Sequence, residues 1–177
     1  MYAALAVALA LTTLIAPAAP TRAAPWSGCT IYNYFGASNA KYVSAELGYG
    51  GNLNGMLRAR ASLPGPWETF RICTDGTAHW FNSQANGKYV SAELGRTGTD
   101  HGMLRARASS VGPWERFEIG RYGNYDTIKS LANNRYVSAE RGYGGVRAGM
   151  LRARATTVGP WEKFSLICRD IPANCPP

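Results

Sequence analysis

Three consecutive segments of the chain repeat one another without a gap, at a period of 47 residues. The segments begin at Tyr42, Tyr89 and Tyr136, and 19 of their 29 positions carry the same residue in all three copies. The shared blocks are YVSAE, MLRARA and GPWE, together with three single glycines and a final phenylalanine. A chain of this kind folds as three copies of one unit, and the three units together must leave no long sheet edge exposed.

Within each unit the apolar residues alternate with a period of two, which is typical of β-strands. In the first copy Val43 and Ala45 are predicted on one face of a strand, and Ser44 and Glu46 on the opposite, outward face. Asparagine-containing turns precede each YVSAE block, and Gly-Pro-Trp turns follow each MLRARA block. The pattern therefore indicates four strands in each unit.

Three four-stranded units restrict the architecture. A β-propeller also has four strands per unit but needs about four units to close, and the period-two alternation excludes a helical solenoid. Three units can close a barrel whose end is covered by hairpins. We therefore predict an all-β fold, a β-trefoil of twelve strands in three 47-residue repeats. The predicted repeats cover about residues 27–73, 74–120 and 121–168.

The N-terminal sequence predicts export. Residues 2–20 form an apolar run that ends in prolines, and Thr21 and Ala23 are the small residues of a signal-peptidase site. We expect residues 1–23 to be a signal peptide and residues 24–177 to form a single secreted domain. The apolar run falls short of the roughly 20 residues that span a bilayer, so membrane insertion is not expected.

Four cysteines in an exported chain indicate two disulfides. Pairing of Cys29 with Cys73 and of Cys168 with Cys175 is favoured, because Cys29 begins the first strand of a repeat and Cys73 ends its antiparallel fourth strand. A bond from Cys29 to Cys168 or Cys175 is the alternative, since the first and last strands are also neighbours. The cysteines lack the close spacing of zinc sites, and neither a metal nor a cofactor is expected.

The motif NGKYVSAE, followed by LRARA and then by GPWE-x-F, resembles the repeat of the fascin-like, actin-cross-linking β-trefoil family. The resemblance extends from about Cys29 to Cys168. It implies a β-trefoil and, as one function, a protein-binding or actin-filament-bridging module, although a signal peptide argues against cytoskeletal actin as the native partner. The Gln-x-Trp motif of ricin-type lectins is absent from the sequence, so a ricin-type sugar site cannot be assigned.

Two glutamate triplets are the candidates for catalysis, but their repetition argues against it. Acid–base catalysis needs two carboxylates in different environments, whereas each of these recurs in three equivalent settings. Each glutamate is instead predicted to face an arginine, and no Ser-His-Asp or Cys-His grouping is indicated around His79 or His101. We therefore expect a protein that is not an enzyme. The triplets are Glu46, Glu93 and Glu140, and Glu68, Glu115 and Glu162.

Aromatic residues offer two interpretations. The triplet Trp67, Trp114 and Trp161 fits either a sugar-stacking surface or a plug over the barrel end, and the fascin-like resemblance favours the plug. The loop after each YVSAE block differs among the copies, with Tyr49 and Tyr143 at equivalent positions. An exposed tyrosine near asparagine amides is typical of a sugar contact, but it could equally lie on its own hairpin. The candidate ligand-binding residues are Tyr49, Asn52, Asn54, Arg96, Asp100, Tyr143 and Arg147.

Basic residues are concentrated in the third repeat. Residues 121–170 contain nine basic and four acidic residues, against five and five in residues 74–120 and four and two in residues 24–73. This excess suits an acidic polysaccharide or an acidic protein surface, or serves solubility alone. Nucleic acid is not expected, because the chain carries no recognition motif. The prediction is a monomeric module that binds a glycan or cell-surface polymer, with a protein partner as the alternative.

Overall fold

Twelve strands contain half of the described residues, in a computed structural model that describes residues 28–170 and Cys175. The predicted signal peptide lies outside the described residues. The strands are β1 (Gly28–Gly36), β2 (Lys41–Glu46), β3 (Met56–Ala61), β4 (Thr69–Thr74), β5 (His79–Ser83), β6 (Tyr89–Glu93), β7 (Met103–Ala108), β8 (Phe117–Tyr122), β9 (Tyr125–Ser130), β10 (Arg135–Glu140), β11 (Met150–Ala155) and β12 (Phe164–Cys168).

Six of the strands close a barrel. Antiparallel pairs link β1 to β4, β4 to β5, β5 to β8, β8 to β9, β9 to β12, and β12 back to β1. The other six strands form the hairpins β2–β3, β6–β7 and β10–β11. These hairpins also join one another, because β3, β7 and β11 pair in a triangle. Closure of both rings confirms the predicted β-trefoil and leaves each of these strands paired on both sides or covered.

The barrel interior is filled by aromatic and branched side chains contributed by all three repeats. Tyr34 packs against Phe70 and Phe81, with ring centroids 4.7 and 5.2 Å apart, and Phe81 contacts Phe117. Phe164 is also fully buried. The final phenylalanine of each repeat motif therefore belongs to the core, which explains why the same residue type recurs at that position.

The strand YVSAE is buried on both faces, which corrects the sequence prediction. Val43 and Ala45 are inaccessible, as expected, but Ser44 is also inaccessible and Glu46 is only 3% exposed. The predicted outward face is covered because the Pro-Trp-Glu turn of the same repeat packs against β2. The alternation was correctly assigned to strands, but one of its two faces is buried by polar contacts that the pattern cannot reveal.

Turns and a bulge recur at equivalent positions. The residue after the turn asparagine has a positive φ in each repeat: Ala40 (52°), Gly87 (67°) and Asn134 (56°). A register shift between Tyr42 and Val43 makes Arg60 the extra residue of β3, and the same bulge occurs in β7 and β11. Bulges redirect side chains, and this one turns each second arginine of the MLRARA block toward solvent.

The structure joins Cys29 to Cys73 and Cys168 to Cys175. Cys29 and Cys73 lie directly opposite each other in the β1–β4 ladder. This is the pairing favoured from the strand order, and it fastens the first strand of the chain to the end of its own repeat.

Candidate ligand-binding surface

The seven candidate ligand-binding residues lie on one surface. They occupy the hairpin loops 47–55, 94–102 and 141–149, which surround the point where β3, β7 and β11 meet. Beneath the loops Met56, Met103 and Met150 form a fully buried cluster, against which Tyr49 and Tyr143 pack. The three loops therefore form one continuous rim rather than three separate sites.

Tyr49 and Tyr143 are half-buried, not exposed as the sequence predicted. The hydroxyl of Tyr49 accepts a hydrogen bond from Arg58 Nη1 at 2.9 Å, and Arg152 Nη1 donates to Tyr143 at 2.5 Å. Asn54 Nδ2 donates to the carbonyl oxygens of its own loop, those of Leu47 and Tyr49. Each tyrosine thus lies on its own hairpin, in accord with the second interpretation, and its part in binding stays a prediction.

The other candidates connect neighbouring loops. Arg96 donates to Asn52 Oδ1 at 3.3 Å and to the Glu93 carboxylate at 3.2 Å. Arg147 pairs with both carboxylate oxygens of Asp100, at 2.9 and 3.1 Å. The Arg147 guanidinium holds the pKa of Asp100 below its ordinary value. Contacts of this kind fix the loops relative to one another, so the rim is built before any ligand arrives.

The first arginine of each MLRARA block reaches into the loop of a neighbouring repeat, a role that the sequence analysis missed. The three arginines are largely buried, and their guanidiniums satisfy loop carbonyls that the strands leave unpaired. Burial lowers the pKa of Arg105. The Nε bonds run from Arg58 to Ala148, from Arg105 to Asn54 and from Arg152 to His101, each at 2.9 Å. They form a closed cycle around the three loops.

The two glutamate triplets have different partners. Glu46 binds Arg60, as predicted, and its equivalents do the same. The expectation that each glutamate faces an arginine is wrong for the second triplet. Glu68 accepts hydrogen bonds from the Gly65 N–H, at 2.7 Å, and from the Ser44 hydroxyl. It caps the Pro-Trp-Glu turn and ties that turn to β2, which is why a carboxylate recurs there.

The three tryptophans do not plug the barrel. Trp67 is 38% and Trp114 43% exposed, and Trp161 is partly buried. The buried phenylalanines already fill the barrel, and the turn that carries each indole lies outside it. The Trp67 ring lies beside Gly48 and the Trp161 ring beside Gly142, next to the hairpin loops. The plug interpretation is therefore wrong, and three indoles remain at the surface.

Two crevices open between neighbouring repeats, and they are lined by residues at equivalent repeat positions. The 1–3 crevice, of about 300 Å³, lies between strands of the first repeat and the loop of the third. The 2–3 crevice, of about 450 Å³, lies between strands of the third repeat and the loop of the second. The 1–3 crevice is lined by Asn39, Lys41, Arg58, Ala59, Arg60, Arg141, Ala148 and Gly149. The 2–3 crevice is lined by His101, Asn133, Arg135, Ala153 and Arg154.

Each crevice has the same construction on its strand side. An asparagine from the turn before the β2-type strand donates to the backbone, Asn39 to Ala59 O at 2.7 Å and Asn133 to Ala153 O at 2.8 Å. A long basic side chain follows two residues later, and the bulged arginine of the facing strand completes the wall. These walls are polar and open, and they lie beside the loop rim.

Within residues 28–170 and Cys175 no group of three or more His, Cys, Asp or Glu side chains is arranged to hold a metal. His79 is half-buried, and burial lowers its pKa; His101 Nδ1 lies 2.9 Å from the carbonyl oxygen of Arg96. None of the helical segments in this part of the chain has the length and apolar character to cross a bilayer.

Comparisons with solved structures show the same fold in proteins of low sequence identity. The designed threefold-symmetric protein ThreeFoil superposes with a TM-score of 0.65 at 13% identity, covering 77% of this chain and 97% of that one. The Rhizoctonia solani agglutinin gives 0.62 at 11%, covering 80% and 96%. An exo-β-1,3-galactanase from Clostridium thermocellum gives 0.65 at 11%; 78% of this chain matches 30% of that one. No protein-family model and no curated protein matches the sequence.

Proposed function

We propose that the protein is a secreted carbohydrate-binding module without catalytic activity, and that it holds glycans in the crevices between repeats. The observation that carries the proposal is the repetition of one polar crevice at equivalent positions. Volumes of about 300 and 450 Å³ are at the small end of ligand sites. Lys41 and Arg60 in the 1–3 crevice, and their equivalents Arg135 and Arg154 in the 2–3 crevice, present donors that suit the hydroxyl oxygens of a sugar.

Sugar sites combine hydrogen-bond donors with an aromatic surface, and the surface indoles supply the aromatic surface. The C–H face of a sugar ring stacks on an aromatic ring, and the partly exposed indoles offer such faces. Trp161 lies beside Gly142, whose chain neighbour Arg141 lines the 1–3 crevice. A glycan that leaves this crevice along the loop therefore comes close to an indole.

Solved structures of the same fold support this choice without deciding it, since one fold serves many functions. They include the Rhizoctonia solani agglutinin, an endo-β-galactosidase from Clostridium perfringens and the exo-β-1,3-galactanase from Clostridium thermocellum. The carboxylates of this chain that would serve catalysis are engaged, Glu46 by Arg60 and Glu68 by Gly65 and Ser44. Two disulfides support an oxidising, extracellular location.

The test is a glycan array with the mature chain, followed by titration calorimetry of each hit. Lys41→Ala removes a wall of the 1–3 crevice and Arg135→Ala the matching wall of the 2–3 crevice. Each variant is expected to lower the number of bound oligosaccharides by one or to weaken one class of sites. Arg71→Ala, an exposed cation outside both crevices, is the control. An array without hits, or equal losses in the control, would remove the proposal.

The fascin-like resemblance supports a second candidate, a module that binds or bridges protein filaments. Its motifs recur in all three repeats, so one chain could present more than one binding surface. Co-sedimentation with filamentous actin separates the two candidates. Pelleting that saturates with actin supports the second, and its absence leaves the carbohydrate proposal alone.

A further inference from the structure

The 1–3 crevice differs from its counterpart in charge. Four of its lining side chains are cationic, Lys41, Arg58, Arg60 and Arg141, and no carboxylate lines it. Arg60 is neutralised by Glu46, whose side chain is 4% exposed and lies behind the arginine, which is 42% exposed. The other three cations come from two different repeats, and all three line one small opening.

One substitution between repeats produces the difference in charge, and a second one changes the size of a lining side chain. The position of Arg141 is occupied by Leu47 in the first repeat and by Leu94 in the second. The position of Ala148 is occupied by Asn54 and by His101, and His101 lines the 2–3 crevice. The third repeat thus adds a cation and removes a bulky side chain at the same crevice. The basic excess of the third repeat includes this pair of changes.

The three cations have only neutral partners among the described residues. Lys41 donates to the Ser62 hydroxyl at 2.8 Å, and Arg141 Nη1 to the Ser38 carbonyl at 2.6 Å. Arg58, which is 8% exposed, donates to Tyr49 and to the carbonyls of Ala148 and Gly145. These bonds use three of its five N–H groups. Among the described residues no carboxylate oxygen lies within 4.0 Å of the Arg58 guanidinium, whereas its equivalents Arg105 and Arg152 lie 3.8 and 4.0 Å from Glu93 and Glu140. An anion entering the crevice would give Arg58 a charged hydrogen-bond partner.

We propose that the 1–3 crevice binds the oxyanion of an acidic saccharide, a uronate carboxylate or a sulfate ester, and gives the module a preference for anionic glycans. The inference rests on the proposed function and names its ligand class. Lys41 and Arg58 supply charge from the strand side, and Arg141 supplies it from the loop side. Planar guanidinium groups match both kinds of oxyanion. The crevice holds a single sugar with its acidic group, and the rest of the oligosaccharide lies along the neighbouring rim of loops.

The test compares three hexasaccharides by titration calorimetry: oligogalacturonate for the carboxylate, a heparin fragment for the sulfate, and chitohexaose as the neutral probe. Arg141→Leu restores the residue type found at both equivalent positions, so the fold is expected to accept it. Arg141→Lys keeps the charge. Arg71→Leu removes the same charge from an exposed strand position outside the crevice. Thermal unfolding of every variant checks that the fold is intact.

The expected result is tighter binding of at least one acidic probe than of chitohexaose. Arg141→Leu should weaken it about tenfold or more, the loss typical of one charge-assisted hydrogen bond, while Arg141→Lys and Arg71→Leu retain most of the affinity. The acidic probe that binds identifies the oxyanion.

Equal binding of neutral and acidic probes by wild type and Arg141→Leu overturns the inference and leaves carbohydrate binding intact. An equal loss in Arg71→Leu also overturns it, as a net-charge effect. Failure of all glycans refutes both proposals.

Discussion

Gly55 lies where the first hairpin loop meets the second repeat, and its replacement by alanine tests the closure of the three hairpins. Its φ of 78° is in the left-handed region, and a Cβ atom there would lie 2.6 Å from the carbonyl oxygen of Ala106. The two backbones are joined at this point, because the Ala106 N–H donates to Gly55 O at 2.7 Å. Neither backbone is free to move like a side chain, so β3 and β7 must separate to admit the methyl group.

Two other glycines of the same loop separate the cost of the backbone conformation from the cost of overpacking. Gly50 has a φ of −87° and open space around its Cβ position, so Gly50→Ala should change the free energy of unfolding by less than about 1 kcal/mol. Gly51 has open space but a φ of 57°, and Gly51→Ala should cost about 1–2 kcal/mol. Gly55→Ala combines that conformational cost with about 1–3 kcal/mol of overpacking. We expect a total loss of about 2–5 kcal/mol.

The assay is urea unfolding of the disulfide-intact protein, followed by tryptophan fluorescence, with equal m-values required of all variants. The order of stability should be Gly50→Ala above Gly51→Ala above Gly55→Ala. If Gly55→Ala and Gly51→Ala agree within about 0.5 kcal/mol, the backbones of the first and second repeats do not approach as closely as described, and the reasoning about hairpin closure is wrong.

Two further predictions concern single side chains. Ala40 has a positive φ, and the equivalent positions in the other repeats are Gly87 and Asn134. Ala40→Gly should therefore stabilise the protein by up to about 1 kcal/mol in urea unfolding. Asparagine tolerates this conformation, so an equally large gain from Asn134→Gly would contradict the explanation. The Arg147 guanidinium lowers the pKa of Asp100, so their interaction stabilises the fold above about pH 4 and is lost as the pH falls through the lowered value. Asp100→Asn should be less stable than wild type at pH 6, and this deficit should shrink as the pH falls below about 4. A deficit that does not shrink with falling pH would refute the linkage.

The fold was predictable because the repeat reduces the problem to one unit and a closure condition. Three units of four alternating strands leave few arrangements without free edges, and both rings of strands close as that argument requires. The favoured cysteine pairing followed from the same strand order, since the ladder places Cys29 opposite Cys73.

The surface was less predictable, for reasons visible at particular residues. Alternation assigned Ser44 and Glu46 to one face correctly, but the burial of that face depends on Glu68 and its turn, which lie more than twenty residues away. Arg58 and Arg60 look alike in the sequence, and the bulge gives them different roles. Arg58 is buried and reaches the loop of another repeat, whereas Arg60 is half-exposed and pairs with Glu46. The crevices combine residues of different repeats, so no local pattern could have marked them.

The cycle of arginine contacts has no first member. Each hairpin loop accepts an arginine from the repeat that follows it around the axis, and β1 pairs with β12 in the same barrel. A circularly permuted chain that begins at the second or third repeat would therefore encode the same contacts. A peptide of one 47-residue repeat could reach the same closure as a trimer, so the architecture is open to growth by duplication of a single self-associating unit.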